Sequence, residues 1–264
     1  MSRSRPVHLA MAGLLALAFP GAPGQPAAAA AGPQSAPQVG VPGCADDVPV
    51  RASRTLIHFD SRGRSVRAYL YAPAIPNGQG VVMLHGGTGF EMNSILFDAH
   101  AIQLASRGYV VILPAYFDAA RPDRGRPVVT ARAWRQAALD AAARLEEERV
   151  SPDRVTLWGY SRGAGVGLAA VTASDSPVRS AVLVAGGGSV DDPVAPDVQV
   201  LLLHARRDEA VPVRATRRLA EDLREAGASV GIEELAYDGH QYDLPTWCAV
   251  FSRTRVFITA RSGQ

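Results

Sequence analysis

From about residue 54 onward, short apolar runs alternate with stretches of helical spacing. Residues 54–60 and 64–72 flank Ser61-Arg62-Gly63, which predicts an antiparallel hairpin. Residues 81–84 and 109–113 are continuously apolar, as expected of central strands covered on both faces. Further strands are predicted at 155–158, 180–185, 198–204 and 230–235. Helical spacing predicts helices over 95–107, 128–149, 164–173, 212–225 and 245–260, with Gly108 and Gly227 as stops and Pro212 as a start. Residues 115–127, rich in Arg, Asp and Pro, read as a loop. Strands alternating with helices imply a mostly parallel central sheet with helices on both faces. No internal repeat, second domain or stretch long enough for a large lid is evident.

The N-terminal part breaks this rhythm. Arg3 and Arg5 precede an apolar run from Leu9 to Phe19, then Pro20, Gly21, Pro23, Gly24 and an Ala-rich stretch at 27–31. That layout predicts a secretory signal peptide over 1–31, the alternatives being an uncleaved anchor or a disordered tail. Residues 32–46 read as a flexible Pro/Gly/Gln-rich approach to a domain spanning 47–264. A secreted or periplasmic location follows, with no stable membrane span after cleavage. Export would place the two cysteines, Cys44 and Cys248, in an oxidising compartment, where they join as a disulfide or remain two inert thiols.

Charge changes the picture little. All 27 Lys-plus-Arg residues are arginine, against 25 acidic residues, and two of those arginines lie in the leader. Without lysine there is no P-loop lysine, Schiff base or Ser–Lys dyad. Near-neutrality gives no footprint for nucleic acid. No metal-ligand spacing appears and no cofactor is expected.

The chemistry concentrates at Gly159-Tyr160-Ser161-Arg162-Gly163, a G-x-S-x-G between a strand and a small-residue helix. Such a turn projects its serine at a helix N-terminus, where backbone N–H groups lack partners. Ser161 then needs a base, and the base an acid to hold its ring. In the order Ser, acid, His, the residues fitting loops after strands are Asp208 and His240. Asp191 and Asp192 are rivals for the acid, and Asp238 lies too near His240 in sequence. His58, His100 and His204 read as structural, His85 as a turn-shaping residue, and His8 falls in the leader. An oxyanion hole is expected from the N–H of Arg162 and from the loop His85-Gly86-Gly87-Thr88-Gly89, with Gly87 first and Thr88 next. Phe90, Tyr116 and Tyr160, with Phe117 and Trp247, are candidates to line a substrate pocket, although core packing explains such aromatics equally well.

With HGGTGF at His85, GYSRG at Ser161, HARRDEAVP around Asp208 and YDGHQY around His240, the chain resembles the α/β-hydrolase superfamily, and within it the dienelactone hydrolase-like family. The resemblance covers about residues 50–260 and includes the intervals of 47 and 32 residues between the three candidate residues. It implies the α/β-hydrolase fold and a hydrolase. Dienelactone hydrolases proper use a cysteine nucleophile, so Ser161 points away from their lactone and toward a serine esterase acting on a small-molecule ester. A prolyl oligopeptidase-like peptidase and a non-catalytic binding protein are the alternatives. Oligomeric state is not readable.

Overall fold

The structure, a computed structural model, describes residues 43–190 and 192–262. The expected leader, residues 32–42 of the approach and the rival acid Asp191 lie outside the described residues. The strands are β1 (Ala52–Ser61), β2 (Arg64–Pro73), β3 (Gly80–Leu84), β4 (Val110–Pro114), β5 (Val155–Tyr160), β6 (Ser180–Val184), β7 (Gln199–Arg207) and β8 (Ser229–Asp238). The helices are α1 (Phe90–Ala105), α2 (Pro127–Arg144), α3 (Arg162–Val171), α4 (Val213–Glu225) and α5 (Leu244–Ser262).

Among the described residues, one sheet holds all eight strands in the order β1-β2-β4-β3-β5-β6-β7-β8. β1 and β2 form the antiparallel hairpin, β2 pairs antiparallel with β4, and the six strands β3 to β8 run parallel. This is the α/β-hydrolase fold. Side chains alternate across the sheet with the two-residue period of a strand. Val82, Leu84, Ile112, Val155 and Leu157 face a core closed by α2, α3 and α4. Val81, Met83, Val111, Leu113 and Trp158 face one closed by α1 and α5. Both faces being covered, the central strands have no polar side, which is why their sequences read as unbroken apolar runs. Among the described residues all five helices belong to these two layers, and none is left to form a large lid.

Two helices depart from their predicted limits. α1 begins at Phe90, five residues early, after Gly89 at φ 93°. Its inward face carries Asn93, Ser94, His100 and Gln103, while Met92 and Ile95 are exposed, so apolar spacing misplaces its start. α2 ends at Arg144. A 3-10 turn over Leu145–Glu148 follows, and Arg149 at φ 62° reverses the chain in a left-handed conformation. The loop at 115–127 also holds a 3-10 turn, Tyr116–Asp118.

Cys44 and Cys248 are joined in a disulfide, with Cα atoms 5.4 Å apart. It fastens the segment before β1 to α5, beside an ion pair between Asp46 and Arg255.

Candidate active site

Loops leaving the carboxyl ends of β3, β5, β6, β7 and β8 meet at one rim, as parallel sheets arrange their sites. Ser161 occupies the turn between β5 and α3 at φ 53°, a strained setting for a residue with a side chain. The flanking glycines make that turn possible. A Cβ on Gly163 would sit 2.1 Å from the Leu84 carbonyl oxygen, and one on Gly159 would sit 2.3 Å from that of Gly163. The Ser161 N–H donates to Val184 O on β6, which fixes the turn against the sheet.

Three distant side chains converge here. His240 Nε2 lies 2.9 Å from Ser161 Oγ, and its Nδ1 lies 2.7 Å from Asp208 Oδ2. The hydroxyl donates to Nε2, and Nδ1–H donates to the carboxylate. The Ala210 and Val211 N–H groups donate to Asp208 Oδ1 at 2.9 and 2.8 Å and hold the carboxylate plane. Asp208 is buried and His240 is only partly exposed, so the polar chain is shielded from water along most of its length. The rival acids stand apart from it: Asp192 is exposed, and Asp238 is exposed and paired with Arg207 at 2.9 Å.

Opposite Ser161, the loop after β3 is held from several sides. The Gly86 N–H donates to Asn93 Oδ1 at 2.7 Å, and the Asn93 amide donates to Thr88 Oγ1. His85 Nδ1 lies 2.9 Å from Gly86 O, which also accepts the Gly89 N–H. A trans peptide directs its C=O and N–H to opposite sides. Pinning Gly86 O therefore also fixes the direction of the Gly87 N–H. Among the described residues, neither the Gly87 nor the Arg162 N–H donates to another group, so both remain available at the rim. The His85 ring is stacked on Tyr116, with centroids 4.0 Å apart, and burial pulls its pKa down to about 4. At neutral pH it is an uncharged brace.

The expected pocket aromatics take other places. Tyr116 is fully buried, and its hydroxyl donates to His85 O at 2.7 Å. Phe90 is buried and stacked on Tyr69. Tyr160 is buried behind His240, with its hydroxyl donating to the His240 carbonyl at 2.7 Å. Trp247 packs against Tyr160 and Tyr242. The open cleft beside Ser161, about 600 Å³, is instead lined by Gly87, Ala131, Trp134, Val166, Val211, Ala215 and the Gly186–Gly188 run. Arg162 lies across it, its guanidinium 5.6 Å from the Trp134 ring centre. Sequence reasoning missed Asn93, Trp134 and the glycine run. The glycine triplet after an apolar strand was the one readable signal, since Cβ atoms on Gly186 and Gly187 would press on Ala164 and Ala215.

A profile of the dienelactone hydrolase family matches residues 66–243, a span that contains Ser161, Asp208 and His240. The chain belongs to the dienelactone hydrolase family. Among solved structures, a protein from Klebsiella pneumoniae subsp. pneumoniae provisionally classed as a dienelactone hydrolase is similar, with TM-score 0.64 and 17% identity over 79% of this chain and 98% of that one. Est1E from Butyrivibrio proteoclasticus superposes with TM-score 0.60 at 14% identity, covering 78% of this chain and 99% of its own. The acylaminoacyl peptidase of Pyrococcus horikoshii gives TM-score 0.60 at 17% identity, covering 79% of this chain and 41% of the peptidase. At such identities the likeness is one of fold. No curated protein matches the chain. Among the described residues, no group of His, Cys, Asp and Glu could hold a metal ion, and no helix is long and apolar enough to cross a membrane.

Proposed function

We propose that this member of the family is an exported serine hydrolase of small carboxylic esters, working through Ser161, His240 and Asp208. The observation that carries the reading is the 2.9 Å contact between Ser161 Oγ and His240 Nε2 on a strained turn that opens into the cleft. Ser161 Oγ attacks the ester carbonyl carbon while its proton passes to His240 Nε2. The negative oxygen is received by the N–H groups of Gly87 and Arg162, each contributing about 3 kcal/mol of barrier lowering. Thr88 lies on the same loop, its hydroxyl accepting from the Asn93 amide, and its N–H is the alternative donor to that of Gly87. Collapse breaks the C–O bond, and the leaving alkoxide takes the proton from His240. Water, deprotonated by His240, then attacks the acyl-enzyme and frees Ser161. Asp208 accepts from Nδ1–H throughout and orients the ring.

The cleft is open and lined mainly by small residues, which suits compact esters. A fluorophosphonate probe is expected to label the native protein at Ser161 and to leave Ser161→Ala unlabelled. Absence of labelling in folded native protein would favour a binding role. The peptidase reading draws on the likeness to the acylaminoacyl peptidase catalytic region. A rate on an aminoacyl p-nitroanilide exceeding that on p-nitrophenyl acetate would select it. Export is supported by the layout of residues 1–31 and by the disulfide. Finding the intact N-terminus on cell-retained protein would refute export.

A further inference from the structure

His204 is fully buried within β7, four residues before Asp208, and the reaction sequence above does not use it. Its Nε2 is 3.3 Å from Asp208 Oδ2, the oxygen that also receives His240 Nδ1. The same Nε2 is 2.7 Å from Val211 O. Its Nδ1 is 2.6 Å from Thr216 Oγ1, and Thr216 also reaches Gly186 O in the cleft wall.

The tautomer follows from the partners. A carbonyl and a carboxylate only accept, so Nε2 must carry the proton. Nδ1 is then the acceptor, and the single Thr216 proton is shared between it and Gly186 O. A carboxylate has about four lone-pair sites. On Asp208, Oδ1 accepts from the Ala210 and Val211 N–H groups and Oδ2 from His240 Nδ1–H, while His204 Nε2 stands 3.3 Å from Oδ2 with its proton directed to Val211 O. Val211 closes the circuit, since its N–H binds Oδ1 while its C=O accepts from His204. Burial lowers the pKa of His204, consistent with a neutral ring. Other titratable groups around the pair are Tyr160 and Tyr242, both raised by burial, and Glu234, lowered by its contact with Arg217.

We propose that His204 is a positioning residue that, by donating Nε2–H to Val211 O and setting its ring edge 3.3 Å from Asp208 Oδ2, holds the Asp208 carboxylate in the orientation His240 requires. This rests on the Ser161–His240–Asp208 reading above. Without His204, Val211 O loses its donor and Oδ2 loses the ring edge beside it, so the buried carboxylate is freer to turn, and both the alignment and the proton affinity of His240 change.

The test compares native protein, His204→Leu, which keeps bulk but no donor, and His204→Gln, whose amide N–H can stand near Nε2. The readouts are kcat, KM and the pH profile of p-nitrophenyl acetate hydrolysis, with Tm measured alongside. For His204→Leu, kcat is expected to fall roughly 10-fold to 100-fold with KM within about twofold. The acid limb of kcat/KM is expected to move by about half a pH unit or more. His204→Gln is expected to recover most of the rate and the native acid limb. A folded His204→Leu with native kcat and an unmoved acid limb overturns the proposal. Should His204→Leu not fold, a folded but inactive His204→Gln overturns it instead, and a Gln variant with native rate and profile supports it. Fluorophosphonate labelling of native Ser161 separates the two readings. Unlabelled native protein sinks the triad and this proposal together, whereas labelled native protein with indifferent His204 variants sinks this proposal alone.

Discussion

Gly163 and Gly165 lie two residues apart on α3 and differ in what surrounds them. A Cβ at Gly163 meets the Leu84 carbonyl at 2.1 Å, and the backbone at the end of the central strand β3 cannot yield that distance. At Gly165 a Cβ meets nothing within 4 Å, and alanine is the better helix former. Gly163→Ala is therefore expected to cost more than about 4 kcal/mol or to leave no folded protein. Gly165→Ala should be neutral or gain about 0.5–1 kcal/mol. Chemical denaturation of the pair reads both, and equal stabilities would show the close approach to be imaginary. Tyr160 is a second residue-scale case, since its hydroxyl holds the His240 carbonyl from behind. Tyr160→Phe is expected to lower stability by about 1 kcal/mol. It should also lower kcat several-fold, with KM little changed, because the base loses one support while the cleft is untouched. A native kcat in that variant would assign Tyr160 to packing alone. That Ser161, Asp208 and His240 meet at one rim was legible in sequence because each follows the end of a strand in a fixed order. The pocket aromatics were not. Residue type alone cannot tell Tyr116 in the core from Trp134 in the cleft, since both are aromatic and bury most of their surface.

At the scale of an element, α1 shows how a helix can defeat its own periodicity. Its inward face carries Asn93 to brace the rim loop, and Gln103 to exchange hydrogen bonds with the Val48 backbone. It also carries His100, stacked on Phe251 with centroids 3.7 Å apart and, among the described residues, without a hydrogen-bond partner on either nitrogen. A buried polar group without a partner costs about 1–3 kcal/mol. Beside it lies an apolar cavity of about 200 Å³ bordered by Ala99, Trp247 and Phe251, with room for a larger ring. His100→Phe is expected to raise Tm by roughly 2–6 °C. A lowered Tm would mean that the ring nitrogens do have partners in solution. Burial also lowers the pKa of both His85 and His100, His85 to about 4. Below about pH 6.5 the unfolded chain binds protons that the folded chain refuses. Stability should be fully present above that value and decline as pH falls toward 4, with His85 alone accounting for about 3 kcal/mol. The Tm-against-pH curve of His100→Phe should be shallower than that of the native protein. Parallel curves would remove His100 from this account.

Across the whole molecule, the disulfide ties a segment outside the sheet to a helix 204 residues away. Closing so long a loop lowers the entropy of the unfolded chain, stabilising by on the order of 5 kcal/mol at most. Replacing both cysteines by serine is expected to lower Tm by roughly 5–15 °C. Ester hydrolysis at 25 °C should persist, since neither cysteine lines the cleft beside Ser161. An unchanged Tm would show that the tether contributes nothing.

The sequence by itself determined the alternation of strands and helices, the glycines of the strained turn and the chain order of Ser161, Asp208 and His240. These follow from local rules: backbone sterics, strand and helix periods, and the requirement that a reactive loop follow a strand. Only the tertiary structure decided which aromatics face the cleft, that polar residues of α1 turn inward, and that His204 lies against Asp208. Each of those depends on which surfaces the sheet brings face to face, and a linear pattern records how often a side chain recurs but not what it will meet.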